Sequence, residues 1–183
     1  GEIQITNMLP GEEISRLLAE DPNFTSEPSL GLVYVAYNMD ADLVNDINVR
    51  KALSLSIDRK LLCDQVLRNG AVPATALVAP GFKLSTGESM RAMDEFGNVM
   101  TEYQINPNGA EVDKAREYLA AAGYPNGEGF PTLTLSYYDN DTVKKVVEAM
   151  AEMLKNNLNI NVEVSSNEWS IFYDDVQKGD YQV

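Results

Sequence analysis

Histidine is absent from all 183 residues. That removes the commonest general base, the commonest metal ligand and every His-dependent Ser or Cys triad. Carboxylates are what remain with catalytic reach. Glu12-Glu13, Asp94-Glu95 and Asp174-Asp175 are adjacent pairs, but neighbours on a helix point in different directions, so solvated faces explain them better than acid–base work. No spacing points to the two carboxylates across a cleft that a glycosidase requires. Asp40, Asp42 and Asp46 lack the mid-loop Gly and closing Glu of a calcium hand, and read as a polar turn followed by a helix cap. Neither Gly-x-Gly-x-x-Gly nor a phosphate loop is present. Cys63 stands alone in a helical run, which excludes an internal disulfide and suits a buried, inert thiol.

Non-covalent binding has better candidates. In open α/β sheets ligands sit beyond the carboxyl ends of parallel strands. That rule selects Tyr138 and Asp139 after an alternating run at 132–138, and Asn167 to Trp169 after a second at 160–165. Trp169 opens a helix and so can present its indole to a cleft; core packing is the competing explanation. Met90, Met93 and Met100 offer an adaptable surface, though filling gaps beneath a long loop is the simpler role.

The elements that must position these residues are legible along the chain. Residues 30–70 carry an apolar, β-branched and aromatic run (Leu32, Val33, Tyr34, Val35, Tyr37) that predicts a strand. Asp46 then caps a helix with Val49, Ala52, Leu53, Ser56 and Ile57 on one face. Asp58 caps a second helix with Leu61, Leu62 and Val66, stopped at Asn69-Gly70. Upstream, Ile3 and Ile5 alternate in a short strand, and Pro10 starts a helix whose apolar side is Ile14, Leu17 and Leu18. Periodicity fades after Ala71, and 82–110 reads as an irregular loop region. Val112, Ala115, Leu119 and Ala122 restore a helix, ended at Gly123. Leu133, Leu135 and Tyr137 then alternate with Thr132, Thr134 and Ser136 as a half-buried strand. Asn140 or Asp141 caps a helix running to Leu158, and Ile160, Val162 and Val164 alternate again. Such a strand–helix–strand unit predicts parallel neighbours with a right-handed crossover. A last helix with Trp169, Phe172, Tyr173 and Val176 stops at Gly179, and Asp180 to Val183 begin a further strand. Repeated β-α-β units make an α/β domain.

Composition bounds the role. With 44% hydrophobic residues the chain can bury the core of one domain, residues 1–183. Its 28 acidic against 14 basic residues give a formal net charge of −14, which repels phosphate backbones and anionic lipid. A nucleic-acid partner is therefore not expected. No apolar run approaches the roughly 20 residues of a membrane span. No charged-then-apolar leader precedes Gly1, so an export signal is expected outside these residues.

"GLVYVAYN" followed by "NDINVRKALSLSIDRKLLCDQVLRNGAVPA", then "EVDKAREYLAAAGYPNG" and "NEWSIFYDDVQKGDYQV", resembles the oligopeptide- and dipeptide-binding receptors of bacterial ABC importers, extracellular solute-binding protein family 5. The resemblance covers nearly the whole chain, and order, spacing and caps match together. It implies one lobe of a two-lobed, type II periplasmic-binding-protein-like fold, with a mixed sheet flanked by helices. It also implies peptide capture outside the cytoplasm, in a periplasm or at the outer face of the membrane, free or lipid-anchored. Implied partners are a peptide, the importer's permease subunits and the second lobe of the same chain, with no enzyme activity, metal or cofactor. The ligand-facing positions it implies are Asn7 and Met8 in a hinge-side turn, Tyr34 and Ala36 on a strand, Tyr138 and Asp139 in a loop, and Trp169. Ala36 replaces an acidic residue of some members, and Val143 and Val176 replace basic or imidazole groups, so the resemblance leaves the partner of a peptide carboxylate unassigned. The Asp that pairs with a peptide's free amine is expected just beyond Val183, in a Gly-Trp-x-x-Asp-Tyr segment. Other solutes of the family (nickel chelates, haem, opines, sugars) are the first alternative, and a stand-alone acidic interaction domain the second.

Overall fold

The computed structural model describes residues 9, 11–25, 29–79, 81–91 and 105–183. Seven α-helices and two strands are assigned among them: α1 (Gly11–Glu20), α2 (Asp42–Asn45), α3 (Ile47–Leu55), α4 (Arg59–Leu61), α5 (Val112–Ala121), β1 (Leu133–Tyr138), α6 (Asp141–Leu158), β2 (Val162–Asn167) and α7 (Trp169–Lys178). The expected caps are in place. Asp46 accepts from Asn48 N, Asp58 from Leu61 N, and Asn140 from both Thr142 N and Val143 N. Each carboxylate or amide oxygen satisfies backbone donors that have no partner within the helix.

β1 and β2 pair in parallel, with Leu133 opposite Val162 and Tyr138 opposite Asn167, and α6 is the connection between them. Alternation along β1 buries Leu133, Leu135 and Tyr137 and leaves Thr134, Ser136 and Tyr138 half-buried. The buried set joins Leu154 and Leu158 of α6, Val49, Ala52 and Leu53 of α3, and Ala115 and Leu119 of α5 in one apolar core. Polar links lock these layers together. Asn157 donates through Nδ2 to Ser56 O (2.7 Å), and Arg116 Nε donates to Asn157 O (2.7 Å). The polar face of β1 turns the other way, towards α7.

Two expectations meet a different outcome. The helix after Asp58 widens into a π turn at Leu62–Leu67, closed by Arg68 N donating to Cys63 O. That wider turn ends the helix at Arg68 itself, in the left-handed region at φ 52°, one residue before the expected Asn69-Gly70 stop. The predicted strand at 32–37 forms no ladder among the described residues, and the described sheet is purely parallel with two strands. Val33 and Tyr34 are 86% and 70% exposed, so the run has the composition of a strand without a neighbour to pair with among the described residues. Among the described residues it bonds the rest of the domain only at its end: Asn38 N donates to Gln182 O (2.9 Å), and Asn38 Nδ2 to Gly179 O and Tyr181 O (both 2.8 Å). The last residues in turn lie beside β1, where Ser136 N donates to Val183 O (2.7 Å) and Thr134 N to the Gln182 side chain.

Of the loop region at 82–110, residues 82–91 and 105–110 are described. The first part holds a tight antiparallel bridge between Lys83 and Ser89. The strand expected near Ile3, together with Asn7, Met8, Met93 and Met100, lies outside the described residues.

Candidate functional site

The carboxyl ends of β1 and β2 come out side by side. Asp139 N donates to Asn167 O (2.8 Å), extending the strand register past Tyr138. From there β1 leads into the N-terminus of α6 through Asn140, and β2 leads into α7 through Glu168, whose carboxylate caps Ser170 N. Both chain turns are thus fixed by side chain-to-backbone caps, and the residues between them are held on rigid elements.

Four aromatic rings gather at this edge. Tyr138 meets Trp169 edge-on, with centroids 5.0 Å apart at 89°. It also meets Phe172 at 5.9 Å, while Trp169 stacks along the helix on Tyr173 at 6.1 Å and 21°. The (i, i+4) spacing of Trp169 and Tyr173 puts them on one side of α7. Despite these contacts Trp169 is 56% exposed and Tyr173 52% exposed. Aromatic rings left in water at such density form a ready surface for an apolar or π-bearing ligand group. The surroundings are acidic: Asp139, Glu168 and Asp174 are exposed, and Lys178 is ion-paired with Asp174, which raises the lysine pKa.

Beneath α7 the polar face of β1 opens onto a cavity of ≈ 390 Å³. Thr134, Ser136, Ser165 and Asn167 supply its floor, and Phe172 and Asp175 its roof. Asn167 Nδ2 donates to Asp175 Oδ2 (2.9 Å) across it. Sequence reading assigned Thr134 and Ser136 only to the polar side of a half-buried strand. The signal for a cavity was there in the small hydroxyl residues repeating on both strands, Thr134 and Ser136 on β1 and Ser165 on β2.

Of the residues singled out in the sequence, the structure brings Tyr138, Asp139 and Trp169 together. Tyr34 and Ala36 are exposed on the unpaired 32–37 run. That run is tied through Asn38 to Gly179, at the opposite end of α7 from Trp169. No ring contact or hydrogen bond among the described residues joins Tyr34 to the aromatic group. Tyr37, next along the run, turns inward, and burial pushes its phenol up to about 12 against the opposing pull of Arg59 and Arg50. Cys63 is buried, and burial raises its thiol, as an inert core residue requires. Among the described residues no cluster of three or more acidic, Cys or His side chains could hold a metal, and no helix is long and apolar enough to cross a membrane.

Residues 1–183 match the family described as "Bacterial extracellular solute-binding proteins, family 5 Middle". The chain is similar to the periplasmic murein peptide-binding protein MppA of Escherichia coli (strain K12), at 32% identity over 188 residues, covering 100% of this chain and 32% of that protein. It is similar to the oligopeptide-binding protein OppA of Bacillus subtilis (strain 168), at 30% identity over 179 residues, 96% of this chain and 30% of that one. Among solved structures, the Escherichia coli murein tripeptide binding protein MppA aligns over 100% of this chain and 34% of its own, with a TM-score of 0.76 and 30% identity. The α/β fold is the one expected, that of a type II periplasmic-binding-protein lobe. The chain spans about a third of the length of these relatives.

Proposed function

This chain belongs to the bacterial extracellular solute-binding proteins, family 5, and from that premise we propose that it is part of one lobe of a receptor that captures peptides outside the cytoplasm for an ABC importer. The observation that carries the reading is the aromatic group in which half-buried Tyr138 backs the exposed rings of Trp169 and Tyr173, set at the carboxyl ends of two parallel strands. An extended peptide laid along this edge would rest its side chains on the rings, while main-chain hydrogen bonds give affinity independent of its sequence. Tyr138, Asp139 and Trp169 are the contacts assigned to this lobe. Asn7, Met8, Tyr34 and Ala36 are proposed to complete the surface.

The receptor works without covalent chemistry. Ligand bridges this lobe and a second one, their closure is the form delivered to the permease subunits, and release follows reopening. It needs no cofactor and makes no contact with nucleic acid. Its place is the periplasm or the outer face of the cytoplasmic membrane. Mass spectrometry of small molecules co-purifying with the full-length protein tests the substrate class directly. Mixed short peptides are the expected finding; a single non-peptide solute would replace the peptide reading with that of another family receptor.

A further inference from the structure

Arg91 is buried to 9% exposure, and its Nε–H lies inside the protein with no hydrogen-bond partner among the described residues. Its guanidinium makes one hydrogen bond among the described residues, from Nη2 to Thr75 Oγ1 (2.7 Å), and its backbone N donates to Ser89 Oγ (3.3 Å). No carboxylate pairs with it among those residues, although the chain holds 28 acidic side chains. Burying a guanidinium without a counter-charge is costly, and arginine cannot escape by losing its proton. A buried, unpaired arginine therefore points to an anion.

The space for that anion is present. Arg91 and Thr75 both line a cavity of ≈ 70 Å³, together with Ser29, Gly31, Leu32, Val72 and Pro73. Among the described residues no Asp or Glu contributes to its wall. The Ser29 hydroxyl accepts from Gly31 N (3.1 Å), and the Thr75 hydroxyl accepts from Arg91. Each hydroxyl keeps its own hydrogen to donate. Among the described residues the wall thus offers the Arg91 guanidinium and two hydroxyls as donors and no charged acceptor. A water's share of liquid volume is about 30 Å³, so the cavity takes one small planar group and not a whole ligand.

We propose that this cavity is a carboxylate-binding site, with Arg91 as the charged anchor and the Thr75 and Ser29 hydroxyls completing the donor set. The carboxylate comes either from a bound ligand, through its C-terminus or an acidic side chain, or from an Asp or Glu elsewhere in this polypeptide. The ligand arm rests on the peptide reading above; the site itself does not.

Arginine side-chain ¹H–¹⁵N spectra of the full-length protein separate the outcomes, with the Arg91 Nε–H assigned by its loss in Arg91→Lys. If the polypeptide supplies the carboxylate, that resonance is downfield and slow to exchange before anything is added. Arg91→Gln then lowers Tm without ligand and leaves peptide affinity unchanged. If the ligand supplies it, the resonance moves only on adding sodium acetate or tri-alanine. In that case Arg91→Gln weakens free-acid tri-alanine by about 30-fold or more, as loss of one partner of a buried charge pair does, and spares C-amidated tri-alanine. A response to acetate in a protein that binds no peptide leaves the site standing and removes the peptide reading. An Nε–H that responds to nothing, with Tm and both affinities unchanged in Arg91→Gln, overturns the site and leaves the peptide reading intact.

Discussion

Tyr138 and Trp169 stand edge to face at 5.0 Å and 89°, one at the carboxyl end of β1 and the other at the first position of α7. Their strands' parallel register makes the contact: Tyr138 lies opposite Asn167, two residues before the indole. Because Trp169 is 56% exposed, its ring contacts add only about 0.5–1.5 kcal/mol each beyond the area they cover. Trp169→Ala in the full-length protein should lower stability by about 1–2 kcal/mol, short of the roughly 3–5 kcal/mol typical of a buried aromatic. Peptide affinity should fall by about 30-fold, as for an interface anchor worth about 2 kcal/mol. Titration calorimetry alongside urea denaturation checks both numbers, and an unchanged affinity would return the indole to a packing role.

Leu53 is 3% exposed at the centre of the face that α3 turns into the core. Leu53→Ala should open a cavity and cost about 2–5 kcal/mol. A loss under roughly 1 kcal/mol in chemical denaturation would mean that the surrounding helices collapse into the space, which their polar ties make difficult.

Gly127 closes the turn after α5 at φ 78°, against the C-terminus of α6. A Cβ there would stand 2.4 Å from Asn159 O and 2.5 Å from Leu158 O, both rigid backbone atoms. Neither the dihedral nor the space admits a side chain. Gly127→Ala should therefore destabilise by more than the roughly 1 kcal/mol of a simple left-handed penalty, seen as a lower Tm with an unchanged far-UV spectrum. A neutral result would show that the turn can shift away from α6.

Tyr37 provides a pH signature. Its folded-state pKa is pushed up to about 12 by burial, above the unfolded value near 10. The neutral phenol's contribution is therefore complete below about pH 10 and is lost as pH rises through 12. Two units correspond to a loss on the order of 3 kcal/mol when complete. Denaturant midpoints taken from pH 8 to 11.5 should fall more steeply in the wild type than in Tyr37→Phe. Parallel slopes would mean that the phenol reaches water.

Local chemistry was legible wherever one residue decides one backbone event. Asp46, Asp58 and Asn140 cap the helices they were expected to cap, and Gly123 and Gly179 take up left-handed conformations at helix ends. The β1–α6–β2 unit was legible for the same reason, since alternation and helical period are properties of short windows. What escaped depends on distant partners. The 32–37 run has strand composition, but a strand exists only with a neighbour, and the described residues supply one at Asn38 alone. The early stop at Arg68 follows from a π turn, which leaves no trace in residue types. Arg91 lay in a stretch without periodicity, and its importance comes from the lack of a counter-charge among the described residues.

Asn38 holds the carbonyls of Gly179 and Tyr181 with one side-chain amide, across 141 and 143 residues of sequence. Closing so long a loop is entropically expensive, and each further doubling of its length adds only about 0.6 kcal/mol. The contact should therefore arrive late in folding, after the helices and β1 have built the surface on which both partners rest. Once made, it works as a clasp between segments 141 and 143 residues apart in the sequence. The Asn38 and Ser136 amides then serve as a built-in reporter: their hydrogen exchange measures how often that clasp opens while the core stays shut.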